Sequence, residues 1–399
     1  MTETRNIEKE YLMLRIMTFF RYFGDCLFYG YFYLFLESRG LTENVIGMIC
    51  AITPIVALLC NPFWNYLSKN ANTNRKIMAV ITILEGIFII SYTKVNVIEL
   101  IALLTCLTSF VGSPFYSLHD GFIGTFAKTY KKDYTKIRFI GGFAYFCGSL
   151  TAALILKLGG DNYNILLIIS GIIFILLSLS FVYIKPIDLT LTDNGKEIKR
   201  NYKAILKNKT FIMYMLVYFM VVTVSFAADN FVGLFFTKEL KVTSSIWSLI
   251  FSAILISEVI MMVILSKKSE RINENIIWIL ITLFYPLRSL LFALDLPTPL
   301  IISAALLRGV GYGLVLTVNM RCVEKICGIE NVTAAFFIMA IFTAIIQAVS
   351  NFVFGNIISE IGYKAFFAVV SAIGFSGAIL NIVYQFKNNF KYNIKENNG

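Results

Sequence analysis

The sequence predicts an all-α membrane protein with twelve transmembrane helices, arranged as two six-helix pseudo-repeats around a central cavity. Three observations predict this class. Hydrophobic residues make up 58% of the 399 residues and charged residues only 15%, which is too little charge to cover a water-soluble globule. Apolar stretches near the roughly 20 residues that cross a bilayer recur along the whole chain. A weak internal repeat also relates the two halves.

Each predicted helix is an apolar stretch bounded by short polar or charged segments. In chain order, the predicted helices span residues 11–36, 43–67, 76–93, 97–126, 139–157, 163–184, 210–236, 244–266, 276–294, 298–320, 332–358 and 363–386. Twelve such helices with short connections use the whole length, so no room remains for a separate soluble domain.

The longest polar stretch lies in the middle of the chain and divides it into two blocks. We assign residues 1–184 to an N-terminal six-helix half, 185–209 to a cytoplasmic linker, 210–386 to a C-terminal six-helix half and 387–399 to a cytoplasmic tail. The repeat is short: Leu41-Thr42 precedes the second helix as Val242-Thr243 precedes the eighth. Both threonines are residues that can cap a helix start.

The distribution of Lys and Arg predicts the orientation. The two termini and the even-numbered loops hold 25 of these residues and the opposite loops hold 6. Because cytoplasmic loops carry the positive excess, we expect both termini in the cytoplasm of a multi-pass protein of the cell membrane. The net charge of +11 is dispersed rather than gathered on one face, so we expect a lipid partner, no nucleic acid and a monomeric chain.

The residues that usually hold metals or carry out catalysis are sparse. The seven cysteines lie mostly inside apolar runs and form no CxxC pair, which is typical of small buried hydrophobes. The chain has one histidine, His119, and no HExxH motif or visible pairing of a nucleophile with a base. We therefore expect no metal, no cofactor and no enzymatic activity. The N-terminus also lacks the pattern of a cleaved signal, so we expect the first helix to be retained.

Six charged residues lie near the middle of predicted helices, where a lone charge is costly and usually marks a substrate or ion path. They are Arg21, Asp25, Glu85, Glu258, Arg288 and Arg308. Their formal charges cancel, which favours pairing within a protein interior. Transport of a solute is therefore the leading hypothesis.

Two of these residues share a helix face, because Arg21 and Asp25 are four apart. They form either a cavity-facing switch that binds a polar group or a proton, or an internal ion pair that fixes helix packing. Glu85 either neutralises Arg21 or Arg308 or serves as a proton site. We favour the neutralising role and keep the proton role as the alternative.

Two stretches resemble a known family. The first runs from Tyr29 through Leu36, Gly40-Leu41-Thr42 and Ile46-Gly47 to Asn61-Pro62-Phe63-Trp64, and the second is Asp133-Tyr134-Thr135-Lys136-Ile137-Arg138-Phe139-Ile140-Gly141-Gly142-Phe143. They are similar to motifs of the major facilitator superfamily, in the branch with lactose-type sugar permeases, nucleoside symporters and phenylpropionate-type permeases for aromatic acids. The resemblance implies a transporter whose two halves expose a central cavity to each side in turn.

The chain also departs from the superfamily pattern. After the second helix, Asn65 replaces the usual glycine and Lys69 the usual acid of a latch between the halves, whereas Arg75 and Lys76 keep its basic end. Whether this altered latch permits normal cycling is open. The fifth helix lacks the glycine-proline element typical of drug exporters, which favours uptake.

Glu258 and Arg288 are the pair that we favour for proton coupling, with Glu85 as a further candidate. Burial favours a protonated carboxyl group and a nearby guanidinium favours the carboxylate, so moving the two apart changes proton affinity. The resemblance implies the same, because lactose-type permeases place an acid on helix 8 and an arginine on helix 9. Structural pairing is the alternative.

The substrate-binding candidates are polar, charged or aromatic residues inside helices. They are Arg21, Asp25, Tyr29, Asn61, Tyr116, Asp229 and Arg308. For Asp229, near a helix end, a snorkelling acid at the interface is an equal alternative. For His119, a hydrogen-bonded structural role is favoured over titration.

These observations predict a proton-coupled symporter that takes up a small polar or aromatic solute, such as a sugar, nucleoside or aromatic acid. Two alternatives stay open: an exporter that exchanges its substrate for protons, and a membrane sensor that does not transport. No single residue selects the solute.

Overall fold

The computed structural model describes residues 6–188, 202–267 and 273–396. Within these ranges the chain forms helices and turns and no strand, so the all-α prediction is confirmed. Residues 189–201 of the predicted linker and 397–399 of the predicted tail lie outside the described residues. Two compact units are present: Met1–Lys196 with Phe236–Ser252, and Glu197–Phe235 with Ala253–Gly399.

The first unit contains eight helices before residue 189. They are α1 (Ile7–Tyr29), α2 (Phe32–Ser38), α3 (Glu43–Leu67), α4 (Ala71–Tyr92), α5 (Ile98–Gly112), α6 (Phe115–Thr129), α7 (Tyr134–Gly159) and α8 (Tyr163–Tyr183). The predicted first helix is divided at Gly30 and Tyr31, and the predicted fourth at Ser113 and Pro114. Proline lacks an N–H and continues a helix poorly, which accounts for the second break.

The remaining helices include two π-helical segments. They are α9 (Tyr202–Lys207), α10 (Lys209–Tyr218), the π segment Phe219–Thr223, α11 (Val224–Leu234), the π segment Phe235–Glu239, α12 (Ser244–Lys267), α13 (Glu274–Ala293), α14 (Thr298–Cys327), a 3₁₀ turn Ile329–Asn331 and α15 (Val332–Glu396). Helix α15 covers both of the last two predicted helices. Its regular geometry is interrupted at Gly362, whose φ of 85° is the left-handed conformation that glycine adopts without strain.

Nine helical stretches of the described residues are long and apolar enough to cross a bilayer. Helices α1 and α4 are not among them, because every stretch of 18 residues in either helix contains at least three charged residues. The count of twelve therefore stays a prediction. Large apolar side chains are widely exposed on these helices, as expected for surfaces that face lipid tails. Examples are Leu59 at 71%, Leu176 at 58% and Ile379 at 62% exposure.

Six helix starts, those of α1, α4, α7, α8, α10 and α13, are capped by asparagine or aspartate, whose side chains accept a hydrogen bond from a backbone N–H of the first turn. The two threonines of the internal repeat behave differently. Thr243 accepts from the N–H of Ile246 at 3.4 Å, whereas the Thr42 hydroxyl donates to the Asn44 side chain instead of capping. The shared sequence therefore gives a weak cap at one helix and none at the other.

Two pairs of glycines bring helix backbones into close contact. A Cβ on Gly86 of α4 would lie 2.6 Å from the Gly171 carbonyl oxygen of α8, and the reverse substitution would meet Gly86 at 2.7 Å. On α14, Gly309 and Gly313 lie against the backbone of α12 on both sides of Glu258. These close approaches fix Glu85 in the first unit and bring Arg308 next to Glu258 in the second.

Candidate functional site

A buried ion cluster in the first unit is built from α1, α4 and α6. Arg21 donates from Nε to Asp25 Oδ2 at 3.0 Å, from Nη1 to Glu85 Oε2 at 2.5 Å and from Nη2 to Glu85 Oε1 at 3.0 Å. The three side chains are 1%, 0% and 0% exposed. The i to i+4 spacing therefore places Arg21 and Asp25 together as expected. Glu85 accepts two hydrogen bonds from the guanidinium group of Arg21, so it pairs with Arg21 rather than with Arg308.

Two tyrosines complete this first-unit cluster, which we define as Arg21, Asp25, Tyr29, Glu85 and Tyr116. Tyr29 donates to Glu85 Oε1 at 3.1 Å and Tyr116 donates to Asp25 Oδ2 at 2.6 Å. The Tyr29 ring is 38% exposed, so it connects the cluster to the surface of the unit. All five residues had been selected from the sequence, and the structure brings them together.

The surroundings of Arg21 exclude water. Its guanidinium lies 4.0 Å from the ring centroid of Phe115 and 4.2 Å from that of Phe174, in cation–π geometry on both. The cluster holds two carboxyl groups for one guanidinium, and Asp25 Oδ1 is buried without a hydrogen-bond partner. The single cation is therefore fully paired, whereas one acid keeps an oxygen without a partner.

A second ion cluster lies in the second unit, on α11, α13 and α14. Asp229 accepts from Arg288 Nη2 and, at 2.8 Å, from Arg308 Nε. Its side chain is 9% exposed, against 2% for Arg288 and 22% for Arg308. Asp229 is therefore a mostly buried bridge between two arginines, an arrangement that differs from the alternative of a snorkelling interfacial acid.

Donors outnumber acceptors in this region. We define the second-unit cluster as Asp229, Tyr285, Arg288 and Arg308. Arg288 Nε, Arg308 Nη1 and the Tyr285 hydroxyl are buried and have no hydrogen-bond partner among the described residues. An unpaired buried donor costs free energy, so these three groups favour any ligand that brings acceptor atoms.

Aromatic rings line the same region. Phe226 meets the Tyr285 ring edge to face at 5.9 Å and the Tyr312 ring at 5.1 Å. Arg308 lies over Tyr312 at 5.8 Å, and Arg288 lies over Phe292 at 5.5 Å. The polar donors are thus set in an apolar, aromatic surrounding that strengthens their electrostatic interactions.

Glu258 is not the partner of Arg288, which corrects the pairing expected from the sequence. Arg288 points to Asp229, and Glu258 on α12 has no hydrogen bond or ion pair within the described ranges. It is mostly buried and interacts electrostatically with Arg308 across the α12–α14 contact. Glu258 is therefore a neighbour of the second-unit cluster through Arg308.

Other polar residues singled out from the sequence lie elsewhere. Asn61 is exposed on α3 and joins neither cluster. His119 is 1% exposed, lies 3.2 Å from the Thr18 hydroxyl and stacks on Phe115, which agrees with a structural role. Sequence reasoning missed Tyr285, although its spacing of three residues from Arg288 places both on one helix face.

A cavity of about 190 Å³ also lies within the second unit, lined by Tyr214, Glu274, Trp278, Lys325 and Asn381 among others. No residue of the second-unit cluster contributes to it. Among the described residues, no group of three or more His, Cys, Asp or Glu side chains is placed to hold a metal ion.

Comparison with known proteins identifies the family to which this chain belongs. The sequence model of the Major Facilitator Superfamily matches residues 14–350. The Uncharacterized transporter YwbF of Bacillus subtilis (strain 168) is 24% identical over 328 residues, which cover 80% of this chain and 79% of the relative.

Solved structures share the fold at lower identity. The nucleoside transporter NupG superposes with a TM-score of 0.79 at 16% identity, covering 95% of this chain and 99% of the other. A POT family transporter in complex with a thioalcohol-conjugated peptide gives a TM-score of 0.70 at 10% identity, covering 95% and 96%. The chain belongs to the Major Facilitator Superfamily and is a multi-pass membrane transporter of that type.

Proposed function

We propose that this protein is a secondary active transporter that takes up a small polar or aromatic solute together with protons, by alternating access. One observation carries the proposal: ionised side chains are buried in two clusters within otherwise apolar helices. Such residues are costly in a membrane and are typical of solute and proton paths. Membership of a transporter family supports the same function.

The two clusters suit different tasks. The first-unit cluster has an excess acid and no unpaired donor on Arg21, which suits storage of a proton or a fixed structural charge. The second-unit cluster has an excess of donors, which suits binding of a solute with acceptor atoms. We therefore assign solute contact to Asp229, Arg288 and Arg308, and proton exchange to Glu258, with Glu85 and Asp25 as further acids.

Proton coupling at Glu258 would operate through Arg308. A buried carboxyl group takes up a proton when a guanidinium moves away and releases it when the guanidinium approaches. Any movement of α14 against α12 during transport would change this distance, because Gly309 and Gly313 hold the two helices in contact. The role first considered for Arg288 thus passes to Arg308.

The solute class is narrowed by the surroundings of the second-unit cluster. Phe226, Tyr285 and Tyr312 offer ring faces and edges to an aromatic or heterocyclic group. NupG is a nucleoside transporter, so nucleosides belong in the first panel to be tested, with sugars and aromatic acids.

The test is uptake by the purified full-length chain in vesicles with an imposed pH gradient, acid outside. We expect accumulation of at least one radiolabelled solute that stops when a protonophore collapses the gradient. Glu258→Gln should uncouple accumulation from the gradient, whereas Glu360→Gln, which changes an exposed acid on α15, should not. Accumulation that ignores the gradient in the unaltered chain would remove proton coupling, and movement only outward would indicate exchange.

We also propose that the chain acts as a monomer in the cell membrane, with both termini in the cytoplasm. The excess of Lys and Arg in the corresponding loops supports this orientation. Reporter fusions at each terminus, active only in the cytoplasm, test it directly. Signals from outside the cell would reverse the assignment.

A further inference from the structure

The second-unit cluster is short of negative charge. Two guanidinium groups, Arg288 and Arg308, share the single carboxylate of Asp229. Arg288 is 1% exposed as a residue, and its Nε finds no acceptor. Because a buried charge without a partner is strongly disfavoured, the two guanidinium groups favour a second anion beside Asp229, which is either ionised Glu258 or a bound ligand.

We propose that the solute carries a carboxylate that binds Arg288, Arg308 and Tyr285, and that protonation of Glu258 strengthens its binding. This inference rests on the proposed function and specifies its solute as a monoanionic carboxylate with an apolar or aromatic body. One excess positive charge matches one carboxylate, and the flat guanidinium fork matches its two oxygens. Phe226 and Tyr312 surround the apolar part of the solute.

The link to Glu258 follows from charge balance around Arg308. The titratable or charged groups next to Arg308 are Asp229, Glu258, Tyr285 and Tyr312, and Arg288 shares Asp229 with it. Tyrosine hydroxyls stay neutral near pH 7, and Asp229 is held by two guanidinium groups. Glu258 accepts no hydrogen bond among the described residues, so it is the acid in this set that no guanidinium group holds directly.

Ionised Glu258 competes with the carboxylate of the solute for Arg308. When Glu258 is protonated, the two arginines face only Asp229, and one positive charge is left for the solute. Proton and anion then strengthen each other's binding, because coupling between two sites is reciprocal. The pair that crosses the membrane would be a carboxylate and a proton, which together carry no net charge.

The test measures binding to the full-length chain in detergent, where no gradient exists. The probes are benzoate and 3-phenylpropionate, each compared with its uncharged amide, together with uridine, inorganic phosphate and chloride. We expect a carboxylate to bind at least about tenfold more tightly than its amide. The dissociation constant should rise with pH as Glu258 loses its proton, by at most about tenfold per pH unit for one linked proton.

Variants separate this inference from a general loss of structure. Glu258→Gln mimics the protonated acid and should give tight binding with no pH dependence, whereas Glu360→Gln should keep the dependence. Arg308→Gln should weaken carboxylate binding roughly 30-fold or more, and Arg308→Lys less, because lysine keeps the charge without the fork. Thermal melting of each variant identifies any that fail to fold.

Equal binding of carboxylates and amides, failure of every carboxylate to bind, or a pH dependence that survives Glu258→Gln would overturn the inference. Phosphate or chloride binding as tightly as the carboxylates would replace the solute carboxylate with a small inorganic counter-ion. Gradient-driven uptake of a neutral solute without carboxylate binding would overturn the inference and leave the proposed function in place. Carboxylate binding without uptake of any solute would leave the inference in place and overturn the proposed function.

Discussion

The two ion clusters contain the same kinds of groups but differ in how completely these are satisfied. In the first unit, each of the three nitrogens of Arg21 donates to a carboxylate, and two tyrosines donate to the same acids. In the second unit, Arg288 and Arg308 each keep a buried nitrogen without an acceptor. The comparison teaches that burial of an ion pair does not by itself mark a binding site. Under the proposed function, the unmet donors of the second-unit cluster are the feature that suits it to a ligand, and the fully paired donors of Arg21 suit the first-unit cluster to holding its helices together.

The largest difference is expected when one arginine is removed from each cluster. Arg21→Gln leaves Asp25 and Glu85 buried with no counter-ion and should cost about 3–5 kcal/mol of unfolding free energy. Arg288→Gln should cost less, because Asp229 keeps Arg308. Denaturant unfolding of the purified chain in detergent measures both.

The matched control is Lys364→Gln, which removes an exposed ion pair with Asp295 and should cost about 0–1 kcal/mol. A second change, Glu85→Gln, should recover part of the Arg21→Gln loss by removing one uncompensated acid. Equal losses for Arg21→Gln and Arg288→Gln would contradict the contrast between the clusters.

Removal of a single hydroxyl tests the same contrast more finely. Tyr116→Phe deletes a hydrogen bond to the Asp25 carboxylate and should cost about 1.5–3 kcal/mol of stability. Tyr285→Phe deletes a hydroxyl that has no partner in the described structure, so stability should be unchanged or slightly higher. The order of the two effects should reverse in solute binding, where Tyr285→Phe is the variant that weakens affinity. Thermal unfolding and ligand titration of both proteins decide the matter, and a stability loss in Tyr285→Phe would argue that its hydroxyl is already satisfied.

The smallest expected effect concerns the space around Glu85. A Cβ on Gly112 would lie 2.6 Å from Glu85 Oε1 and 3.0 Å from the Tyr29 hydroxyl. Gly112→Ala must therefore displace Glu85 from Arg21 and should destabilise by about 1–3 kcal/mol. Gly124→Ala on α6 meets no atom within 4 Å and should be neutral or stabilising by up to about 1 kcal/mol. If both alanine variants unfold alike, the first-unit cluster has more freedom than its packing indicates.

Part of this architecture could be predicted from the sequence because it depends on short-range spacing. Apolar stretches indicated the helices, and the four-residue interval between Arg21 and Asp25 placed both on one face. Pairing between helices is a different problem, since it depends on how each helix is rotated about its axis. Composition alone did not decide whether Glu85 meets Arg21 or Arg308.

Asp229 illustrates what the sequence could not supply. The π segment Phe219–Thr223 lies one to two turns before it and contains i to i+5 bonds, which shift every later side chain relative to an ideal α-helix. A regular α-helical projection therefore does not give the direction in which Asp229 points. The expected partnership of Glu258 with Arg288 was wrong because Arg288 pairs with Asp229, whose direction depends on the rotation of α11.

The close approach of Gly86 to Gly171 has a consequence for how this protein can vary. Neither residue has a side chain that could bind or react. The contact between the two helices nevertheless leaves no space for a methyl group at either position. Among natural variants or members of a mutant library that still transport, both positions should stay glycine more strictly than many charged ones. Selection for transport activity would then be most evident at two residues that contact neither the solute nor a proton.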